Sequence, residues 1–177
     1  MPHNVIEFHD VQRTGVTDAT DEVRVVAHTV TMYKRIVVGT DGSPSASEAV
    51  REAVALAKLC GAELHIVSAY RPLSALMTHP EFVTLSAQVY EKIDPAGGAA
   101  EVTSRALGFA TGANIEVHEH QVAGSAADAL CDVAASVGGD LIVCGSRGMT
   151  GARRVLGSVP NSVAHNASCS VLIVQTV

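Results

Sequence analysis

Two short aliphatic runs constrain this chain more than anything else in it. They are Ile36-Val-Val-Gly39 and Leu141-Ile-Val-Cys144, each free of charge and each running straight into a glycine-bearing turn. Consecutive aliphatic positions over this length fit strands buried on both faces. After the second run the chain passes Gly145, Gly148 and Gly151, then reaches a small-residue corner at Gly157-Ser158. Glycines let a backbone approach a ligand closely and turn its N–H groups toward an anion. A helix starting within or after such a loop adds its own free N-terminal donors. The stretch reads as a phosphate-cradling loop behind a buried strand.

The 177 residues suffice for one domain with a substantial core. Apolar residues at 47% and charged residues at 17% exclude a disordered chain. Aromatics are only 3%, with no Trp, so the core has to be built from Val, Ile, Leu and Ala, which suits helices on a parallel sheet. The net charge of −6 argues against a nucleic-acid binder, which would show a basic face. The only basic cluster, Arg147, Arg153 and Arg154, lies in the glycine-rich stretch. It fits a small anionic ligand, and Arg153 and Arg154 fit a solvated helix face equally well. Cys60, Cys131, Cys144 and Cys169 are far apart and form no C-x-x-C pair. Reduced thiols and the lack of a secretory pattern lead to an expectation of a cytoplasmic protein. The uncharged segment Val155–Val177 is interrupted too often by Gly, Pro, Ser, Asn and His to be a membrane span.

Taken in order, residues 1–32 show no sustained periodicity and are expected to be a flexible extension, although Val23 to Val30 could form a strand. The domain is expected over 33–177. Strand Ile36–Gly39 ends in the turn Thr40-Asp41-Gly42-Ser43, and Ser45 with Glu48 has capping-box spacing. A helix follows, with Val50, Ala53, Val54, Ala57 and Leu59–Cys60 as its apolar stripe and Gly61 as its stop. Leu64–Ala69 is a second strand. Between Tyr70 and Gly112 a helix is expected over Phe82–Ile93, broken or kinked at Asp94-Pro95 and carried on by Ala99–Phe109. Ile115–Val122 is a third strand with Glu116, His118 and His120 on a wet face. Gly124-Ser125 opens a helix, Leu141–Cys144 is the fourth strand, and a helix from about Val159 to Asn166 leads into a last strand, Ser170–Val174. Alternating strands and helices of this kind make an α/β, doubly wound parallel sheet.

Several chemistries lose support because their motifs are absent. The chain has no G-x-x-x-x-G-K-[ST], no G-x-G-x-x-G after any candidate strand, no H-E-x-x-H and no G-x-S-x-G. His118 and His120 alone on one strand face are expected to be solvent-exposed rather than metal-bound. No nucleophile–base–orienter set can be assembled, so no catalytic residue is assigned.

What remains resembles the universal stress protein family. The matching residues are Ile-Val-Val-Gly-Thr-Asp-Gly-Ser at 36–43, Gly-Ser-Arg-Gly-Met-Thr-Gly at 145–151, Leu-Gly-Ser-Val at 156–159 and Cys-Ser-Val-Leu-Ile-Val at 169–174. The resemblance covers about Tyr33 to Thr176 and implies a Rossmann-like five-stranded sheet in order 3-2-1-4-5. In that order strands 1 and 4 part at a switch point and leave a crevice between their loops.

The resemblance further implies ATP, AMP or cyclic AMP as ligand, possible Mg2+, and a stress-response regulatory role. Phosphate would lie on Gly145, Gly148, Gly157, Ser158 and Val159, and Ser146, Arg147, Met149, Thr150 and Gly151 would be further nucleotide-binding positions. Gly39, Thr40 and Asp41 would flank the nucleotide, Asp41 beside the ribose or a metal, and Ser68 by a looser match would lie at the adenine. Asp41 also suits a plain turn former or helix cap, and Ser158 a helix cap. The family's ATP signature is G-x2-G-x9-G-[ST]; here the second gap, Met149 to Leu156, is eight residues. A homodimer through the strand Val171–Val174 is the implied assembly, and a dimeric interaction module that binds no nucleotide is the alternative reading. Neither a nucleic acid nor a membrane is an expected partner.

Overall fold

A computed structural model describes residues 32–72, 94–146 and 157–175. Five strands form one sheet: β1 (Arg35–Gly39), β2 (Glu63–Tyr70), β3 (Val117–Ala123), β4 (Leu141–Gly145) and β5 (Ser170–Val174). Their order is β3-β2-β1-β4-β5 and every neighbouring pair is parallel. The helices are α1 (Pro44–Cys60), α2 (Pro95–Leu107), α3 (Ala126–Val137) and α4 (Ser158–Asn166), with a 3-10 turn at Gly108–Ala110. This is the expected doubly wound sheet in the expected order. The expected strand at Val23–Val30, the helix at Phe82–Ile93 and the loop residues 147–156 lie outside the described residues.

The aliphatic runs become central strands because both their faces are covered. Alternate residues of a strand point to opposite faces, so β1 sends Ile36 and Val38 to one layer and Val37 to the other. On the first face Ile36, Val38, Leu64, Ile66, Leu141 and Val143 pack against Val50, Ala53 and Ala57 of α1 and Ala106 of α2. On the second, Val37, Val67 and Ile142 pack against Leu130, Val133 and Ala134 of α3 and Val163 of α4. The many alanines of α1 and α3 let helix backbones sit close to the sheet, which explains how a core almost without aromatic residues fills its volume. No helix among the described residues is long and apolar enough to cross a membrane.

The start of the sheet is tied by Asp140. Its carboxylate accepts from the backbone N–H groups of Lys34 at 2.8 Å and Arg35 at 3.2 Å, while its own N–H donates to the Arg35 carbonyl at 3.0 Å. These bonds pin β1 to β4 in the register Ile36 opposite Leu141.

Several local expectations need correction. The cap of α1 is Ser43, whose Oγ accepts from the Ala46 N–H, not Ser45; Pro44 occupies the first helical turn, and Glu48 pairs instead with Arg51. Leu59 is 77% exposed and does not belong to the α1 stripe. It lies nine positions after Val50, about half a turn out of phase at roughly 100° per residue. Asp94-Pro95 does not interrupt a helix but starts one: the Asp94 carboxylate accepts from the Gly97 N–H at 2.8 Å and Pro95 opens α2. The third strand begins at Val117, and the face carrying His118 and His120 is half-buried rather than wet.

Ile142 is fully buried at the centre of the second layer. Ile142→Ala is expected to lower unfolding free energy by about 2–5 kcal/mol, the range for a truncated core aliphatic. A fall in urea midpoint at unchanged m-value is the signature of that loss; an unchanged midpoint would contradict the packing described.

Candidate functional site

At the C-terminal ends of β1 and β4 the chain leaves the sheet in opposite directions, and an open crevice lies between the two exits. In open α/β sheets this switch point is where ligands bind. The β1 side supplies Gly39, Thr40 and Asp41, the β4 side Cys144 and Gly145, and the start of α4 supplies Gly157, Ser158, Val159 and Pro160. Ser43, Ser45 and Ala46 of the α1 start and Ala126 of the α3 start complete the rim, over a floor of Val67, Ala69 and Leu130. Three helix N-termini therefore open on one crevice, and their dipoles add to a positive potential there.

Those N-termini differ in what their donors do. Ser43 Oγ takes the Ala46 N–H of α1, and Ser125 Oγ takes the Asp128 N–H of α3, each at 3.2 Å. At α4 the cap is Gly157, in extended conformation, with no side-chain cap bond. The first N–H groups of a helix have no partner within it, and Pro160 has no N–H at all. That leaves Ser158 and Val159 presenting donors at the crevice wall, the arrangement that takes up an anionic oxygen.

The β1 exit is a tight turn. Thr40 is nearly buried; its N–H donates to the Val67 carbonyl at 2.9 Å and its Oγ1 accepts from the Gly42 N–H at 3.2 Å. The exposed Asp41 carboxylate accepts from the Ser43 N–H at 3.0 Å, so it serves as a turn former while lining the crevice. Gly42, with φ +76°, completes the turn in a conformation other residues rarely adopt. Gly145 fits its position for a different reason. A Cβ there would lie 3.0 Å from Ser45 Oγ and 3.1 Å from the Ser45 carbonyl oxygen, so any side chain would have to push the start of α1 back by a few tenths of an ångström.

Of the residues singled out by sequence, the crevice gathers Gly39, Thr40, Asp41, Gly145, Gly157, Ser158 and Val159. Ser146 is buried, with its N–H bonded to the Val174 carbonyl at 2.8 Å, and is not among the lining residues. Ser68 is buried on the opposite face of β2 from Val67 and Ala69, which form the floor. Arg147, Gly148, Met149, Thr150 and Gly151 lie outside the described residues. Sequence reasoning missed the floor, although its signal was present: Val67 and Ala69 flank Ser68 at the end of an aliphatic strand. Cys144 is also part of the wall, and burial pushes its thiol up to about 11.

The fold is thus a doubly wound α/β sheet with an open crevice at its switch point. The profile of the universal stress protein family matches residues 32–175, and the chain belongs to that family. It is similar to the universal stress protein Rv1636 of Mycobacterium tuberculosis H37Rv, 38% identical over 152 residues that cover 81% of this chain and 97% of the relative. Among solved structures it is similar to a universal stress protein in complex with cAMP, at 34% identity and a TM-score of 0.59, covering 80% of this chain and 96% of that one. It also matches the Archaeoglobus fulgidus universal stress protein in complex with dAMP, at 25% identity and a TM-score of 0.57, covering 80% and 97%.

The buried thiol gives a direct check on the crevice wall. With its pKa near 11 instead of 9, Cys144 has about 100-fold less thiolate at pH 8. Timed iodoacetamide labelling of native protein, read by peptide mass spectrometry, is expected to modify Cys144 at least that much more slowly than after unfolding. Equal rates in both states would place the thiol in water.

Proposed function

We propose that this chain is a stress-response regulatory protein that binds ATP or a related adenine nucleotide, AMP or cyclic AMP, in the crevice between the loops after β1 and β4. The observation that carries this reading is the uncapped start of α4, facing the Asp41 turn across that crevice. Phosphate would take the N–H groups of Ser158 and Val159 and approach the bare backbone of Gly145. By the family resemblance, residues Arg147 to Gly151 would add further contacts to the nucleotide. Asp41 would hold the ribose, or an Mg2+ ion shared with the phosphates, as a hard oxygen donor of the kind that ion takes. The apolar floor of Val67 and Ala69 would meet the adenine. The cAMP and dAMP bound by two structural relatives support an adenine nucleotide as the ligand class. Any hydrolysis would be slow, since no general base or nucleophile is assigned to the crevice. The family match begins at residue 32, which supports reading residues 1–32 as an extension outside the domain; a cytoplasmic location is part of the same proposal.

Calorimetric titration with Mg-ATP, AMP and cyclic AMP tests the proposal. Ser158→Pro is the informative variant: proline is tolerated in the first helical position but removes one donor. A hydrogen bond to a charged group is worth about 1.5–3 kcal/mol, so affinity is expected to fall tenfold or more while the melting temperature holds. Asp41→Ala is expected to weaken Mg-ATP more than ATP without the ion. No saturable heat with any nucleotide would overturn the proposal in favour of an interaction module of the same fold.

We propose a homodimer paired through β5. This strand is at the sheet edge, and Val171, Leu172, Ile173 and Val174 remain only half-buried there, an apolar edge that needs cover. Light scattering is expected to give the mass of two chains for the natural protein and of one for Ile173→Lys, because an edge lysine blocks strand pairing. A natural protein of single-chain mass would contradict it.

A further inference from the structure

A second cluster of polar side chains lies away from the crevice, toward the N-terminal ends of β2 and β3. His65 interrupts the apolar run of β2 and is 4% exposed, although an imidazole carries two polar nitrogens that burial should leave bonded. The β2–β3 register puts His65 directly beside His118, and Val67 beside His120, all on the same face of the sheet. The His65 and His118 rings stack at 4.7 Å with 15° between their planes. Glu63, two positions before His65 on the same face, completes the group, and one ligand atom each from Glu63, His65 and His118 lie within 4.8 Å of one another.

The two nitrogens of His65 have different surroundings. Nδ1 is 3.0 Å from His120 Nε2, a hydrogen bond. Nε2 is buried with no hydrogen-bond partner; the Glu63 carboxylate is 3.7 Å away, beyond bonding length. If Nδ1 carries the proton and donates it to His120, the Nε2 lone pair is left on the side of Glu63, whose carboxylate is 3.7 Å away. This is how a second imidazole orients a metal-binding one.

We propose that Glu63, His65 and His118 form a site for a divalent first-row transition ion, with Zn2+ as the fitting member. Two imidazoles and one carboxylate are the borderline nitrogen–oxygen set that Zn2+ takes, with water in the fourth position. Tetrahedral ligands at Zn2+ bond lengths sit roughly 3.3 Å apart, so the Glu63–His65 spacing of 3.7 Å needs little adjustment. His118 has to turn out of its stack to aim a nitrogen at the same ion. Its side chain is 40% exposed and has room to do so, whereas buried His65 is the fixed member. Glu116 stands 3.2 Å from His118 Nε2 and supplies a carboxylate to orient that ring. Arg35 bonds the Glu63 carboxylate at 3.2 Å, which steadies the ligand but adds positive charge beside the ion. That opposing charge sets the expected dissociation constant on the order of micromolar, weaker than a structural zinc site.

The full chain, without an affinity tag and stripped by chelator, is titrated with ZnCl2 in a calorimeter and with CoCl2 by visible absorption. One Zn2+ per chain and the absorption of four-coordinate Co2+ are expected. Glu63→Gln and His118→Gln change half-exposed side chains and are expected to keep the circular dichroism of the natural protein while weakening Zn2+ at least about tenfold. His165→Gln, on α4, is expected to bind as the natural protein does. Zn2+ is also expected to raise the melting temperature of the natural protein but not of His118→Gln. Absence of saturable binding, undiminished binding in both site variants, or an equal loss in His165→Gln would overturn the proposal. Because the cluster is separate from the crevice, these outcomes are independent of nucleotide binding.

Discussion

The pairing of β1 with β4 is the interaction on which the rest of the molecule depends. Both strands are aliphatic on both faces, so each must lie between two covering layers, and together they form the middle of the sheet. The Asp140 carboxylate, bonded to two consecutive N–H groups at the start of β1, holds their register from below. A slip by one residue would send Ile36 and Val38 to the face of Val37, and the bonds at Asp140 oppose it. The same register brings Gly145 level with the start of α1, where a glycine fits the close approach to Ser45 without displacing it. The crevice is thus a by-product of core packing: two strands fixed side by side whose loops must part.

Within the crevice, the helix starts divide the work. Serines close the first turns of α1 and α3, whereas glycine stands where α4 would have its capping side chain. A capped N-terminus spends its donors inside the protein, and an uncapped one leaves them to a ligand. This local choice of residue gives an acidic chain unspent backbone donors at one wall of its crevice.

Much of this was legible in the sequence, because aliphatic runs ended by glycine turns are strong local signals. β5 was placed to the residue, and the ends of β1 and β4 nearly so. The misreadings have local physical causes. Ser43 and Ser45 both suit a helix start, and the proline between them, which settles the position, outweighs the capping-box spacing of Ser45 and Glu48. Leu59 looked apolar enough for the α1 stripe but falls on the wrong side of a helix of 17 residues. Ser68 and its neighbours alternate faces, and which face meets the crevice is decided by strand pairing. The histidines show the limit most clearly. His118 and His120 were visible as a pair, but their third member belongs to another strand, and only the β2–β3 register unites them.

The Asp140–Lys34 contact spans 106 positions of chain. Parallel neighbours in such a sheet are remote in sequence, and closing so long a loop is a slow step relative to forming the local helices. The two rims of the crevice therefore come together only after most of the domain exists. During synthesis, the Asp41 turn leaves the ribosome long before the start of α4, and for that interval the chain carries half a pocket. Ligand capture belongs to the finished domain and cannot guide the early steps of its folding.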